Sequence, residues 1–268
     1  MTEPLIYTAI LAAYEAGQAI LEIYSQDFAI EYKPDQSPIT LADKKAHRII
    51  SGHLEKSGIP VLSEEGSEIP FEVRKDWKSF WLVDPLDGTK EFINRNGDFT
   101  VNIALILDTV PVAGVIYAPV PDMVYFALPV HGSFRIKGDL LVEHSRENLD
   151  ELIRFCTPLP AVRNEDGFVI VASRSHQNRE TSEFIESMQS SRNNVTFLSK
   201  GSSLKFCAVA EGSADLYPRL GPTMEWDTAA GHAIAMHAGC TVFNAITLAP
   251  LVYNKESLLN PSFLVERK

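Results

Sequence analysis

Residues 80–92 read FWLVDPLDGTKEF: an apolar run stops at Asp84, a second aspartate follows at Asp87, and Gly88 and Thr89 stand directly behind it. The run predicts a strand. Pro85 has no N–H to donate, so the strand is expected to end there in a turn, with both carboxylates converging on one side. Two carboxylates at ~4 Å repel by about 4 kcal/mol at an effective dielectric near 20. A site that keeps both ionised therefore wants a cation, and oxygen-only ligands suit Mg²⁺ or Mn²⁺ better than zinc. Taken alone, the stretch also fits a solvated turn in which Asp84 and Asp87 are ordinary caps.

Two further acidic turns have similar construction. In IPVLSEEGSE the short apolar stretch 59–62 predicts a strand, and Ser63, Glu64 and Glu65 emerge from its end. In MEWDTAAGHAIAMHAGC, Asp227 is placed as the N-cap of a helix whose first turn holds Ala229, Ala230 and Gly231. Side chains that small let a ligand approach a helix N-terminus, whose free N–H groups favour anions.

Composition narrows the classes. A chain of 268 residues, 45% hydrophobic, can bury one large core or two apposed ones, and it holds no linker-like tract. The net charge of −11, from 24 basic against 35 acidic residues, disfavours a nucleic-acid polymer or an anionic bilayer as the main partner. A small phosphorylated substrate fits if metal ions neutralise the carboxylates and a few basic residues receive its phosphates. Cys156, Cys207 and Cys240 are scattered and lack C-x-x-C spacing, which points to a reducing compartment, the cytoplasm, and away from structural zinc. The first 24 residues read as an amphipathic helix packed on the body, because Glu3, Glu15 and Glu22 interrupt the apolar positions. Neither a signal peptide nor a transmembrane segment is expected.

Along residues 1–150 the pattern predicts helices near 4–24 and 40–56 and strands near 59–62, 80–84, 99–107, 111–118 and 123–128. Short turns such as DTVP make the later strands antiparallel, with Phe99, Val101, Ile103, Leu105 and Leu107 as one buried face. Residues 151–268 change rhythm. Strands near 168–172, 195–199 and 214–217 alternate with helices near 177–191, 202–211 and 228–238, the βα pattern of a layered, partly parallel sheet. The changeover falls in 140–166, where charge, Pro and Gly accumulate. In open α/β sheets ligands sit beyond the carboxyl ends of strands, and SRSH (173–176), SKGSS (199–203) and the Pro218-Arg219 pair follow the three second-half strands. They are expected to face one crevice. Lys205 falls in the first turn of a helix opened by Ser202 or Ser203, so an ammonium, hydroxyls and free N–H groups can aim at one phosphate, with Arg219 as a second basic contact. Lys205 and Arg219 as solvated charges, and His176 as a loop cap, are the simpler alternatives. His131, His144, His232 and His237 show no pairing as ligands, and Cys207 reads as core.

Glu64-Glu65, D-P-L-D-G-T at 84–89 and W-D-T-A-A-G at 226–231, in that order and spacing, resemble the lithium-sensitive, magnesium-dependent phosphatases of the inositol monophosphatase superfamily. The resemblance runs from about Thr40 to the end, with no departure at a metal position. Within the superfamily the chain is most similar to the 3′(2′),5′-bisphosphate nucleotidase branch, through Lys90-Glu91-Phe92, Ser173 to His176, Gly201 to Lys205 and Tyr217-Pro218-Arg219. It implies the layered αβαβα sugar-phosphatase fold: a metal-binding α+β half with a largely antiparallel sheet (1–150), then an α/β half with a mixed, partly parallel sheet (151–268) that carries the nucleotide loops and Asp227.

The same resemblance implies two or more Mg²⁺ ions, Mn²⁺ being a possible substitute, held by Glu64, Asp84, the Leu86 carbonyl, Asp87 and Asp227, with Asp84 shared. Asp43 would pair with Thr89 to orient and deprotonate water, although Asp43 also suits a helix first turn. The implied substrate is adenosine 3′,5′-bisphosphate, by extension its sulfated form, cleaved at the 3′ position to AMP or adenylyl sulfate and phosphate. This removes a by-product of sulfate assimilation. Its 3′-phosphate would meet the metals and the turn Asp87-Gly88-Thr89, its nucleoside Ser173 and His176, and its 5′ side Gly201, Ser202, Lys205 and Arg219. Peripheral association with the inner membrane also follows from resemblance alone. An inositol monophosphatase shares the same catalytic core, and a non-catalytic nucleotide-binding protein would share the pocket. The oligomeric state is left open.

Overall fold

The computed structural model describes residues 2–32, 38–144, 148–161, 167–173, 178–192 and 194–268. Its first elements are α1 (Thr2–Tyr24), a hairpin of β1 (Ile30–Tyr32) and β2 (Pro38–Thr40), α2 (Leu41–Leu54), β3 (Val61–Ser63), α3 (Phe71–Arg74), β4 (Ser79–Asp87) and α4 (Thr89–Ile93). A meander follows, β5 (Thr100–Leu107), β6 (Val110–Ala118), β7 (Met123–Leu128) and β8 (Gly132–Lys137), then α5 (Gly138–Glu143), α6 (Leu149–Ile153) and β9 (Thr157–Pro158). The remainder comprises β10 (Phe168–Ala172), α7 (Arg179–Ser191), β11 (Val195–Ser199), α8 (Leu204–Glu211), β12 (Leu216–Arg219), α9 (Glu225–His237), β13 (Cys240–Asn244) and β14 (Phe263–Arg267).

Strands β3 to β9 form one seven-stranded sheet in sequence order, parallel only between β3 and β4. A five-stranded mixed sheet has the order β11-β10-β12-β14-β13, with parallel pairs on either side of β10 and antiparallel pairs to β14. The chain leaves the large sheet after Pro158 and enters the small one at Phe168.

The layers follow from the period-two alternation of β4 to β7. Trp81, Val83, Val101, Ile103 and Val115 face α1 and α2; α1 answers with Ile6, Ala9, Ile10, Ala13, Ala16 and Ile20 on one helical stripe, and α2 with Ala46, Ile50 and Leu54. The opposite face, with Leu82, Ala104, Ile106 and Ile116, packs on α8 and α9 and through them on Tyr217, Phe263 and Val265 of the small sheet. Outside lies α7, which covers Ile170, Ala172 and Leu216 with Ile185. This is the αβαβα order. Close packing here depends on Gly114 of β6, where a Cβ would stand 2.5 Å from the Ala230 carbonyl oxygen of α9. By length and composition α1 is apolar enough to cross a membrane, yet its apolar stripe is buried against the large sheet and α2.

Several expectations need correcting. Strand β4 does not end at Pro85 but runs on to Asp87, with its register to β5 shifting between Asp84 and Asp87. A bulge tolerates a residue without N–H, so proline bends the strand instead of stopping it. Leu107 is 46% exposed, because β5 ends there at a tight turn whose Asp108 and Thr109 both have left-handed φ values. Helix α9 begins at Glu225, which makes Asp227 its third residue and not its N-cap.

Candidate active site

The carboxyl ends of β3 and β4 and the first turn of α9 meet at one point. There Glu64, Asp84 and Asp227 each offer a carboxylate oxygen, and the three atoms lie within 4.8 Å of one another. Asp84 is 2% exposed. Burial first, then the neighbouring charges of Glu64, Asp87 and Asp227, push its carboxyl well above the usual carboxylate range. Burial and Asp87 push Asp227 up as well, against a hydrogen bond donated by the Met224 N–H at 2.8 Å. The Leu86 N–H donates to Asp84 at 3.1 Å. A group of hard oxygen donors, half-buried around the buried Asp84, that raise one another's proton affinity fits a divalent cation such as Mg²⁺ or Mn²⁺.

Asp87 stands beside this group and is held from the opposite wall. Its Oδ2 accepts from the Ser202 hydroxyl at 2.5 Å, the Ser203 N–H at 2.8 Å and Asn102 Nδ2 at 3.3 Å. Thr100 Oγ1 shares hydrogen bonds with the hydroxyls of Ser202 and Ser203, and Ser203 donates to Asn102 Oδ1 at 2.7 Å. Large sheet and α8 are thereby joined through a polar network. Sequence reading missed Thr100 and Asn102, and it named Ser203 at the start of the Lys205 helix but not as a partner of Asp87. The available signal was polarity on the β5 face opposite Val101 and Ile103, at the strand's entry beside the aspartate turn.

Asp43, 2% exposed and in the first turn of α2, divides its oxygens between two tasks. Oδ2 accepts from the Thr40 N–H at 2.8 Å and the Thr40 hydroxyl at 2.7 Å, closing the capping box of α2. Oδ1 accepts from the Thr89 hydroxyl at 3.2 Å. The first-turn position and the pairing with Thr89 are compatible. Burial raises the Asp43 carboxyl, with the Thr40 and Thr89 donors opposing. Thr89 Oγ1 also lies 3.4 Å from the Leu86 carbonyl oxygen. Gly88 supplies φ = 93° at this turn, where a Cβ would also press on the Asp98 carbonyl at 3.2 Å.

Glu64, Asp84, Leu86, Asp87, Thr89 and Asp227 line a cavity of about 300 Å³ whose other wall carries Ser173, Ser202, Lys205 and Arg219, with Asp43 behind Thr89. Lys205 is only 5% exposed. Its ammonium donates to the Ser202 carbonyl at 2.5 Å and sits 5.4 Å from the Tyr217 ring centroid. Burial lowers it to about 8, with Asp87 pulling the other way and Arg219 adding to the fall. Arg219 donates to the Pro222 carbonyl at 2.9 Å, while its buried Nε has no partner among the described residues. Lys205 is thus not a solvated surface charge, and Arg219 is half-buried. Gly201 lies off the main cavity, lining a smaller neighbouring one with Ser173 and Lys200, and its N–H is engaged by Asp98 at 2.9 Å. His176 lies outside the described residues.

His232 is buried, pushed down to about 4 by burial, and bonded to the Tyr253 hydroxyl at 3.0 Å, an interior role. His131 pairs at the surface with Asp150 at 3.3 Å.

The model of the inositol monophosphatase family matches residues 1–266. The chain belongs to that family. It is 45% identical over 257 residues to the 3′(2′),5′-bisphosphate nucleotidase CysQ of Salmonella typhimurium, covering 94% of this chain and 96% of that one. To the CysQ nucleotidase of Escherichia coli K12 it is 44% identical over 258 residues, with the same shares covered. The crystal structure of CysQ from Bacteroides thetaiotaomicron superposes with a TM-score of 0.90 at 50% identity, covering 97% of this chain and 96% of that one.

Proposed function

We propose that the chain is a metal-dependent 3′(2′),5′-bisphosphate nucleotidase that hydrolyses adenosine 3′,5′-bisphosphate to AMP and phosphate, and its sulfated form to adenylyl sulfate. One observation carries the choice of substrate: the carboxylate group, the buried cation Lys205 and the half-buried Arg219 line the same cavity. A bisphosphate needs two separate anion sites. An inositol monophosphate would leave the Lys205 side without its counter-charge. The similarity to CysQ nucleotidases over nearly the whole chain supports the same choice.

Glu64, Asp84, Asp87, Asp227 and the Leu86 carbonyl would hold two or more Mg²⁺ ions, with Mn²⁺ as a substitute. Once bound, such ions neutralise the carboxylates, acidify water and stabilise the leaving oxygen of an in-line displacement. The chain's own residues do the rest. Because the Thr89 hydroxyl donates to Asp43, its lone pairs are left for the attacking water. As Thr89 takes that water's proton it passes its own to Asp43, whose burial makes it a stronger base than a surface carboxylate. Lys205, Arg219 and Ser202 receive the 5′-phosphate, and Ser173 and His176 the nucleoside. Residues 1–150 thus form a metal-binding half and 151–268 a nucleotide-binding half that lends Asp227. The three free cysteines support a cytoplasmic place for this chemistry.

Phosphate release with Mg²⁺ from adenosine 3′,5′-bisphosphate, adenosine 3′-monophosphate and inositol 1-phosphate tests the proposal. The bisphosphate should have the highest kcat/KM. Preference for inositol 1-phosphate would overturn the substrate, and tight bisphosphate binding without phosphate release would overturn catalysis.

A further inference from the structure

Behind the carboxylate group lies a second polar assembly with no place in the chemistry above. Glu225, fully buried in the first turn of α9 and two residues before Asp227, accepts from the backbone N–H groups of Asn254 (2.7 Å) and Lys255 (3.0 Å) and from the Lys255 ammonium (2.5 Å). Arg74, 2% exposed at the end of α3, holds the same loop from the other side. Its guanidinium donates to Asn254 Oδ1 at 2.8 Å and to the carbonyls of Lys255 and Glu256 at 2.7 and 2.9 Å. Asn254 returns a hydrogen bond from Nδ2 to the Arg74 carbonyl at 2.7 Å. Further along the loop, the Leu258 carbonyl accepts from the Glu225 N–H at 2.9 Å, and Asn260 Nδ2 donates to the Met224 carbonyl at 2.8 Å.

Loop 254–260 therefore grips two carriers at once. One is the segment from Glu64 to Arg74, the other the first turn of α9 with Asp227. A groove of about 360 Å³ between them is lined by Glu64, Arg74, Met224, Trp226 and Glu256, so the assembly stands directly beside the ligand group. Glu64 and Asp227 repel each other, and neither short segment alone can fix the distance between them. A buried bracket tied to both segments can, although Arg74 Nε itself has no partner among the described residues.

We propose that Arg74, Asn254 and Glu225 are positioning residues that set the spacing of Glu64 and Asp227 and thereby the affinity of the site for its divalent cation. This rests on the metal-dependent reading above and adds to it residues that touch neither cation nor substrate. Groups that orient ligands from behind typically change metal affinity by about ten- to a hundredfold when removed.

Asn254→Gly is the cleanest probe, because Asn254 already has a left-handed φ of 67°. Glycine keeps that backbone and deletes only the amide that links Arg74 to the loop. Asp215→Asn is the control: Asp215 is a buried partner of Arg267 and of the Val169 N–H in the small sheet, so its loss lowers stability without touching the bracket. Mn²⁺ affinity is read from the resonance signal of the free ion, and the Mg²⁺ concentration for half-maximal phosphate release is measured in parallel. Asn254→Gly should weaken Mn²⁺ binding and raise the Mg²⁺ requirement about tenfold, with kcat at saturating Mg²⁺ within about twofold of wild type. The control should lower Tm and leave both metal constants unchanged. An Asn254→Gly protein with lowered Tm and wild-type metal constants, or a control that shifts those constants equally, overturns the inference. Wild-type protein that binds no Mn²⁺ overturns the metal-dependent reading itself.

Discussion

The two walls of the cavity are built in different ways. The acidic wall is mostly local: Asp84, Leu86, Asp87, Gly88 and Thr89 come from one bulged strand end and the turn after it, and only Glu64 and Asp227 are brought to them, from the end of β3 and the first turn of α9. The basic wall is assembled at a distance, with Lys205 arriving on α8 and Arg219 at the end of β12. Lys205 is kept in place by burial and by the Ser202 carbonyl, and Arg219 by the Pro222 carbonyl. Repulsion strains the acidic wall until a cation enters, whereas desolvation strains the basic wall until an anion does. Each wall thus lacks what a metal-bound bisphosphate brings.

The comparison breaks most visibly at Asp84. Asp84→Asn should lower Mg²⁺-dependent turnover by about a thousandfold or more, as expected if, as proposed, its charge is shared between bound metal ions. Both walls should suffer together, since every substrate depends on the same centre, so equal losses with bisphosphate and monophosphate substrates are the expected kinetic result. Near wild-type turnover at saturating Mg²⁺ would contradict the assignment.

Thr89→Ala separates proton transfer from metal binding. It should lower kcat by about a hundredfold, the usual scale for losing a general acid–base contact, and leave KM for the bisphosphate nearly unchanged. A rise in KM with constant kcat would move Thr89 from proton transfer to binding.

A smaller effect is expected in the stability of the metal-free protein. Asp84 has a folded-state proton affinity above its ordinary value of 3.8. Its contribution to stability is therefore fully present below about pH 4 and is lost as pH rises through the folded value. Asp84→Asn escapes that loss. Without metal it should be more stable than wild type at pH 8 and differ little from it near pH 4. Urea denaturation at the two pH values checks this, and Mg²⁺ should reverse the order at pH 8 by binding only the folded wild type.

How much of this was legible in sequence follows the same division. The acidic wall could be read because D-P-L-D-G-T is contiguous and follows an apolar strand. What failed there was local: Pro85 bends β4 without ending it, and α9 starts two residues before Asp227 because that carboxylate reaches back to the Met224 N–H. Lys205 and Arg219 were visible as polar residues after strand ends, but the burial of Lys205 was not, since it depends on layers that only the folded chain brings together. Thr100 and Asn102 hid inside an apolar strand. The bracket of Arg74 and Asn254 joins residues 180 positions apart, and no periodicity or short motif carries such a pairing. Strands β8, β13 and β14 were missed because they are short and polar on one side.

Lys205→Ala compared with wild type on two substrates tests most directly whether the two walls divide the work between metal-bound and distal phosphate. Adenosine 3′,5′-bisphosphate and adenosine 3′-monophosphate differ only in the phosphate assigned to the basic wall. Losing a charge-assisted contact of roughly 1.5–3 kcal/mol should cut kcat/KM for the bisphosphate about ten- to a hundredfold. The monophosphate should react at similar rates with both proteins, so that the preference for the bisphosphate collapses. An equal fall for both substrates would mean that Lys205 supports the fold or the metal site, and would contradict the division of labour.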